Sequence, residues 1–356
     1  MSAPAFASAP TAQRIDPLSD VLRAVKLNGA LFFVIDASQP WGVEVPDKDS
    51  YAASLFPGAQ HVVSYDIILE GRGWVCMPGS DPIAFQGGDI LVFAHGDPYR
   101  LLSAPDQRPE YDAVATVAFL REMVAGRLPF VIEEGGGGEP RTRYVCGYLG
   151  CDMRPFNPLL AALPPLLHVK GRGRQPGDRL DRLVELTLEA TESSLPGGEA
   201  VRLRLSELIF VEAIRRHLAA QSVSRAAADL GAGQGWLAGL ADPAVGRALA
   251  LLHGEPARAW TLDRLARAAG VSRTVLAERF ALLVGCPPMH YLTLWRLQRA
   301  ARLLADSPLK VAAAAHEVGY ESEAAFSRAF KKATGLSPGD WRRAAARPPA
   351  TRRGRP

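Results

Sequence analysis

At 356 residues the chain exceeds one typical core and fits two domains, each able to bury a hydrophobic interior. It is 48% hydrophobic and 22% charged, which is ordinary globular usage; it shows no apolar run of membrane-spanning length and no charged-then-apolar leader, so it reads as cytoplasmic with no membrane partner. The net charge of +4 conceals an asymmetry, since residues 245–356 hold 19 Lys+Arg against 8 Asp+Glu and residues 1–244 are left at −7.

A basic segment joined to a mildly acidic one suits a polyanion partner, because Lys and Arg displace condensed counterions from phosphates. Charge alone is equally compatible with a solubilising basic surface. The four cysteines, Cys76, Cys146, Cys151 and Cys286, are too few for a disulfide framework in a chain this long.

Residues 1–14 are Ala, Pro and Ser with little to bury and are expected to be disordered. From about Asp16 to Phe130 short apolar runs alternate with turn residues: LFFVI at 31–35, DIILEG at 66–71, GWVCM at 73–77, DILVFA at 89–94 and AVATVAFL at 113–120. This spacing predicts strands of a small antiparallel barrel or sandwich. Gly135 to Gly138 reads as a hairpin tip or insertion, because no Lys-Ser/Thr helix start follows that would make it a phosphate cradle.

Beyond Pro155 the period changes. LDRLVELTLEAT at 180–191 and RLSELIFVEAIRRHLAA at 204–220 place Leu and Ile at helical spacing, opposite their charges. Such helices fit either a dimer seam or a cap folded on their own barrel. From Pro243 the chain is helical and rich in Ala, Leu and Arg, and it ends in a basic tail, RPPATRRGRP.

Residues 260–343 contain an internal duplication. Ala266 and Gly270 recur 49 positions later as Ala315 and Gly319, while Ser272, Leu276, Phe280, Gly285 and Pro288 recur 50 positions later as Ser322, Phe326, Phe330, Gly335 and Pro338. Each copy therefore reads as a helix-turn-helix. Small residues sit where helices cross, a glycine supplies the positive φ of a tight helix exit, and a serine caps the second helix. With Leu276, Phe280, Leu283, Phe326 and Phe330 inward, the outward stripes are Thr274, Ala277, Glu278 and Ala281, then Ala324, Ser327, Arg328 and Lys331. Together with the caps Ser272 and Ser322 and with Arg273, Glu323 and Lys332, these are the candidate contacts to double-stranded DNA. The helix at 289–306 joins the copies as a stiff rod of roughly 25 Å. Simple solenoid packing is the competing reading of such Ala-rich repeats, and the positions in register together with the basic charge favour DNA.

LARAAGVSRTVLAERF, PPMHYLTLWRLQRAARLL and GYESEAAFSRAFKKATGLSPGDWR make residues 242–343 resemble the AraC/XylS family of transcription regulators. The resemblance implies that the first recognition helix, about 273–283, makes most base contacts and the second, about 323–333, adds weaker ones. Ala277 and Glu278 stand where long polar or basic side chains are common in that family, which leaves the target sequence open. Arg296 is expected to pin the two units together, and Arg279 to serve as an ion-pair partner.

Residues 15 to about 220 resemble the cupin-like effector domain of one branch of that family, through LEGRGWVCMPG, GGDILVFAHGDPYRL, YVCGYLGCDMRPFNPLLAALPPLL and RLRLSELIFVEAIRRHL. Of the metal-cupin pattern, Gly88 and Gly96 are kept, but Tyr99 and Ala94 replace the expected His and Pro, and only His61 with nearby Asp66 remains as a ligand candidate. No metal, cofactor or catalytic site is therefore expected. Tyr65, Trp74, His95, Tyr99, Arg100 and Tyr148 are the candidates to line an effector pocket. Cys146 and Cys151 are a possible reversible thiol pair, with small buried hydrophobes as the blander reading.

The fold expected is thus α+β and multidomain. An N-terminal cupin-like β-barrel with flanking helices (15–178) is followed by a helical dimerisation or linker region (179–241), an all-α domain with two helix-turn-helix units joined by a linker helix (242–343), and a disordered basic tail (344–356). The function expected is a non-enzymatic, effector-controlled, homodimeric transcription regulator that contacts DNA and RNA polymerase. A thiol redox sensor and a metal-dependent cupin enzyme with a DNA-binding appendage are the alternatives.

Overall fold

The computed structural model describes residues 16–24, 27–171, 178–192, 197–227 and 235–346. The disorder expected for residues 1–14 and for most of the basic tail lies outside the described residues. These residues fall into two compact units, one spanning 27–227 and the other combining 16–24 with 235–346. The first helix, α1 (Pro17–Ala24), thus belongs to the unit built mostly from the far end of the chain, although the sequence groups it with the strands that follow.

The first unit contains β1 (Leu27–Gln39), β2 (Gly42–Val45), α2 (Ala52–Leu55), β3 (His61–Glu70), β4 (Arg72–Cys76), β5 (Ile83–Gln86), β6 (Ile90–Phe93), β7 (Tyr99–Leu102), α3 (Ala113–Val124), β8 (Val131–Gly135), β9 (Gly138–Cys151), α4 (Pro158–Ala162), β10 (Leu167–Val169), α5 (Arg179–Glu192) and α6 (Gly198–Ala227). Its strands form a six-stranded sheet in the order β10-β6-β3-β9-β1-β8 and a four-stranded sheet in the order β2-β7-β4-β5. Alternation of side chains along each strand sends Phe33, Ile35, Ile68, Tyr144 and Tyr148 of the larger sheet toward Val45, Val75, Phe85 and Leu101 of the smaller one, and these form one core. The outer face of the large sheet is apolar as well: Val34, Ile67 and Val145 are buried, because α6 packs against β1 and β10. Covering both faces explains why these strands read as continuous apolar runs. Within this unit α5 and α6 behave as a cap on the barrel.

Two elements differ from the sequence expectation. AVATVAFL is not a strand: Asp112 accepts hydrogen bonds from the backbone N–H of Val114 and Ala115 and starts α3, and burial of Thr116, Leu120 and Met123 follows helical spacing. An N-cap that satisfies orphan donors outweighs a β-branched composition here. Gly135 to Gly138 is no hairpin tip either. β8 runs parallel to β1 and β9 antiparallel to it, so these glycines carry the chain over the end of β1.

The second unit comprises α1, α7 (Trp236–Ala241), α8 (Pro243–Gly254), α9 (Leu262–Ala269), α10 (Arg273–Val284), α11 (Pro288–Asp306), α12 (Val311–Glu317), α13 (Glu323–Thr334) and α14 (Pro338–Ala346). Residues 344–346, expected in the tail, complete α14. Leu297, Ala300, Leu304, Ala315, Phe326 and Phe330 close a core around the second half of this unit. Phe280, Tyr291 and Trp295 are fully buried in the first half.

Candidate nucleic-acid interface and barrel cavity

The two predicted helix pairs are α9–α10 and α12–α13. Gly270 ends α9 at φ 77°, a left-handed conformation that costs glycine no Cβ clash, and its N–H reaches back to the carbonyls of Ala266 and Arg267. Ser272 then accepts from the N–H of Val275 and starts α10. The second copy repeats the device: Gly319 has φ 87° and Ser322 accepts from Ala325 N–H at 3.4 Å. Each second helix hides one face and shows the other. Leu276, Phe280 and Leu283 are buried in α10 while Arg273, Thr274, Glu278 and Ala281 are exposed; Phe326 and Phe330 are buried in α13 while Glu323, Ala324, Arg328, Lys331 and Lys332 are exposed. Ala277 and Ser327 are half-buried, and the caps Ser272 and Ser322 are exposed.

Two arginines hold the scaffold. Arg279 Nη2 lies 2.5 Å from the carboxylate of Asp242, whose other oxygen accepts from the N–H groups that open α8, so it ties α10 to the start of α8. Arg296 donates from α11 to the carbonyls of Pro256 and Arg258 and clamps the loop between α8 and α9. Behind them His253 is buried at the centre of the unit. Tyr291 Oη takes the indole N–H of Trp236 at 2.9 Å and faces His253 Nε2 at 2.8 Å, while Asp20 of α1 stands 3.6 Å from the other imidazole nitrogen. Burial holds this imidazole below its ordinary value despite the carboxylate.

Between the two sheets of the first unit lies a partly open cavity, with about 450 Å³ of atom-free space when the adjoining solvent is counted. Aliphatic and aromatic side chains such as Phe33, Ile35, Val45, Leu101 and Phe119 make most of the wall, joined by Tyr99, Tyr111, Tyr144 and Tyr148. The polar lining is Asp66, Thr116, Glu134 and Cys146. Register explains the placement: Asp66 of β3 sits opposite Cys146 of β9, which sits opposite Phe33 of β1, and Glu134 of β8 sits opposite Ala37, four residues farther along β1. Removal from water pushes both carboxyl groups up to about 7. Their contacts are long, since Tyr99 Oη is 3.4 Å from Asp66 and Tyr144 Oη is 3.4 Å from Glu134.

Residues 16–219 match the cupin family, and residues 265–344 match the helix-turn-helix domain family. A protein of Streptomyces lividans named as an AraC-like transcription regulator is 33% identical over 332 residues, covering 92% of this chain and 98% of its own. Another of that name, from Streptomyces antibioticus, is 34% identical over 338 residues, covering 92% of this chain and 99% of its own. The solved DNA-binding domain of AdpA, in complex with a target DNA, aligns with 29% of this chain and 92% of its own at 30% identity and a TM-score of 0.28. The chain belongs to the AraC-like transcription regulators.

As an AraC-like regulator it carries its DNA-binding machinery in the helical unit and a cupin in the other. Of the six residues singled out for the cupin pocket, Tyr99 and Tyr148 line the cavity. The other four do not. Tyr65 points to the opposite face of β3, where its ring lies over Gly147, a spot no Cβ would leave open, and its hydroxyl donates to Ser206 of α6. Trp74 alternates with buried Val75 and pairs with Leu102 and Ala84; His95 Nε2 meets the carbonyl of Leu163 at 2.8 Å; Arg100 is exposed on β7 opposite Glu44 and Cys76.

Cys146 and Cys151 both lie on β9, and five positions along a regular strand put them on opposite faces. Their backbones are ~17 Å apart at ~3.4 Å per residue, well beyond disulfide reach. Burial pushes the Cys151 thiol up to about 12 and that of Cys146 well above its ordinary value. The same parity argument separates His61 from Asp66; His61 is buried with Nε2 at 2.6 Å from the carbonyl of Ala94. Among the described residues no three His, Cys, Asp or Glu side chains converge to hold a metal, and no helix is long and apolar enough to cross a membrane. Sequence reading missed Glu134, Thr116 and Tyr144 as cavity residues. The parity of β9 would have found Tyr144 once Tyr148 was chosen, whereas Thr116 depended on reading α3 as a helix.

Proposed function

We propose that this AraC-like regulator reads its operator through the exposed stripes of α10 and α13, and that a small molecule in the barrel cavity controls it. The observation that carries the reading is the matched pair of capped helices, each burying its aromatic anchors while exposing its polar stripe. On α10, Ser272, Arg273, Thr274, Ala277 and Glu278 would face bases and phosphates, with the main share of sequence choice. On α13, Ser322, Glu323, Ala324, Ser327, Arg328, Lys331 and Lys332 would do the same with more weight on phosphates, because three of these seven are basic. A dimer through α5 and α6, which leave Leu186, Val201 and Leu208 about half exposed, and contact with RNA polymerase complete the proposal.

The test is a binding titration of purified full chain on an operator duplex obtained by in vitro selection, repeated at several salt concentrations. Arg328→Ala is expected to weaken binding to all sequences and to lower the salt slope by about 1. Glu278→Ala is expected instead to change which duplexes are selected. Wild-type affinity and slope in both variants would defeat the assignment of the two stripes.

A further inference from the structure

The cavity of the cupin unit has an unusual balance of polar groups. Two carboxyl side chains line it, and no Lys, Arg or His does. Asp66 is 1% exposed, and among the described residues its hydrogen-bond partners are the Tyr99 hydroxyl at 3.4 Å and the Cys146 thiol, both weak partners for a carboxylate. Thr116, 4% exposed, brings a hydroxyl to the same cavity with no hydrogen-bond partner among the described residues. A buried hydroxyl of this kind is costly unless something else satisfies it. These are separate signs that the site is built around a polar group the protein itself does not supply.

The chemistry of that group follows by comparing charges. An anionic ligand would face two carboxyls with no compensating base, in a low-dielectric pocket where like charges repel strongly. A wholly apolar ligand would leave Asp66, Glu134 and Thr116 unsatisfied. A protonated nitrogen would pair with a carboxylate, donate further hydrogen bonds and lie against the faces of tyrosine rings, which attract cations. Glu134 is placed too far along the sheet to be the partner of the same nitrogen, since four residues along β1 separate the two backbone positions by about 13 Å in the strand direction. We infer that the effector of this regulator is an organic amine, an apolar body whose protonated nitrogen pairs with Asp66 among Tyr99, Tyr144 and Tyr148. The inference rests on the proposal that the cavity is the effector site.

Three probes of one shape decide it: 2-phenylethylamine, 2-phenylethanol and phenylacetate, titrated by calorimetry into the purified full chain and into Asp66→Asn, Thr116→Val and Val45→Trp. The amine is expected to bind at least tenfold more tightly than the other two. Asp66→Asn should erase that preference, and Thr116→Val, which keeps the wall's shape, should leave it. If the alcohol or the acid binds as tightly as the amine, or the amine does not bind, the inference falls. If Val45→Trp, which fills the cavity, binds the amine unchanged, the probe sits elsewhere and the cavity itself loses its claim as the effector site. Retention of tenfold amine preference by a folded Asp66→Asn protein would equally overturn the assignment.

Discussion

Asp66 is a residue whose meaning changes with its surroundings. In the sequence it stands near His61 as a leftover ligand candidate too sparse to make a metal site; strand parity turns the two apart and leaves the carboxyl facing Tyr99, Tyr148 and Tyr51, with Cys146 across the ladder. Its ordinary value of 3.8 rises to about 7 in the folded protein. The folded state therefore holds the proton more tightly, and the resulting stability is present at low pH and lost as pH climbs through about 7. Glu134 acts in the same direction. Unfolding of the cupin unit should accordingly have its midpoint fall between about pH 4 and about pH 7 and level off above, each group contributing up to about 1.4 kcal/mol per pH unit, and Asp66→Asn should flatten the curve by its share. Calorimetry across that range checks it; a pH-independent midpoint in the wild type would contradict the burial of these groups. Such partners were not legible beforehand, because they depend on which strands neighbour β3.

Secondary-structure elements were more legible, for a physical reason. Caps and turn glycines act within four residues, so the serines and glycines of both helix-turn-helix copies could be placed from spacing alone. The glycines within the second copy are not equally strained by change. A Cβ at Gly319 would lie 2.7 Å from the backbone of Ala257, whereas a Cβ at Gly335 would meet nothing within 4 Å, although both residues have positive φ. Gly335→Ala should thus cost about 1 kcal/mol from backbone conformation alone, and Gly319→Ala clearly more, because the α8–α9 loop must also move. Ser272→Ala should cost about 1 kcal/mol through loss of the cap. Chemical denaturation of the three variants ranks them; equal losses for both glycines would show that the loop yields freely. α3 was misread because β-branched and aromatic composition is a nonlocal packing signal, and only the Asp112 cap, a single residue, spoke for a helix.

At the scale of the whole chain, charge set a basic C-terminal segment apart from an acidic remainder, and the internal repeat located α10 and α13. What the sequence concealed was that the helical unit draws on both ends of the described chain. Val21 of α1 is fully buried, Asp20 approaches His253, and Arg302 of α11 donates to the carbonyl of Arg23. Deletion of residues 1–24 should therefore lower the melting temperature of the helical unit and leave that of the cupin unit unchanged, as two calorimetric transitions would reveal. An unchanged helical transition would mean that α1 contributes nothing to this core.

Engineers who splice sensors onto foreign readers ordinarily make one cut. Here a graft taken from position 232 onward would travel without the segment that seals its own interior, exposing an imidazole side chain and an apolar seam to water. A faithful chimera of this regulator needs two junctions, with the opening helix carried along beside the reader it serves.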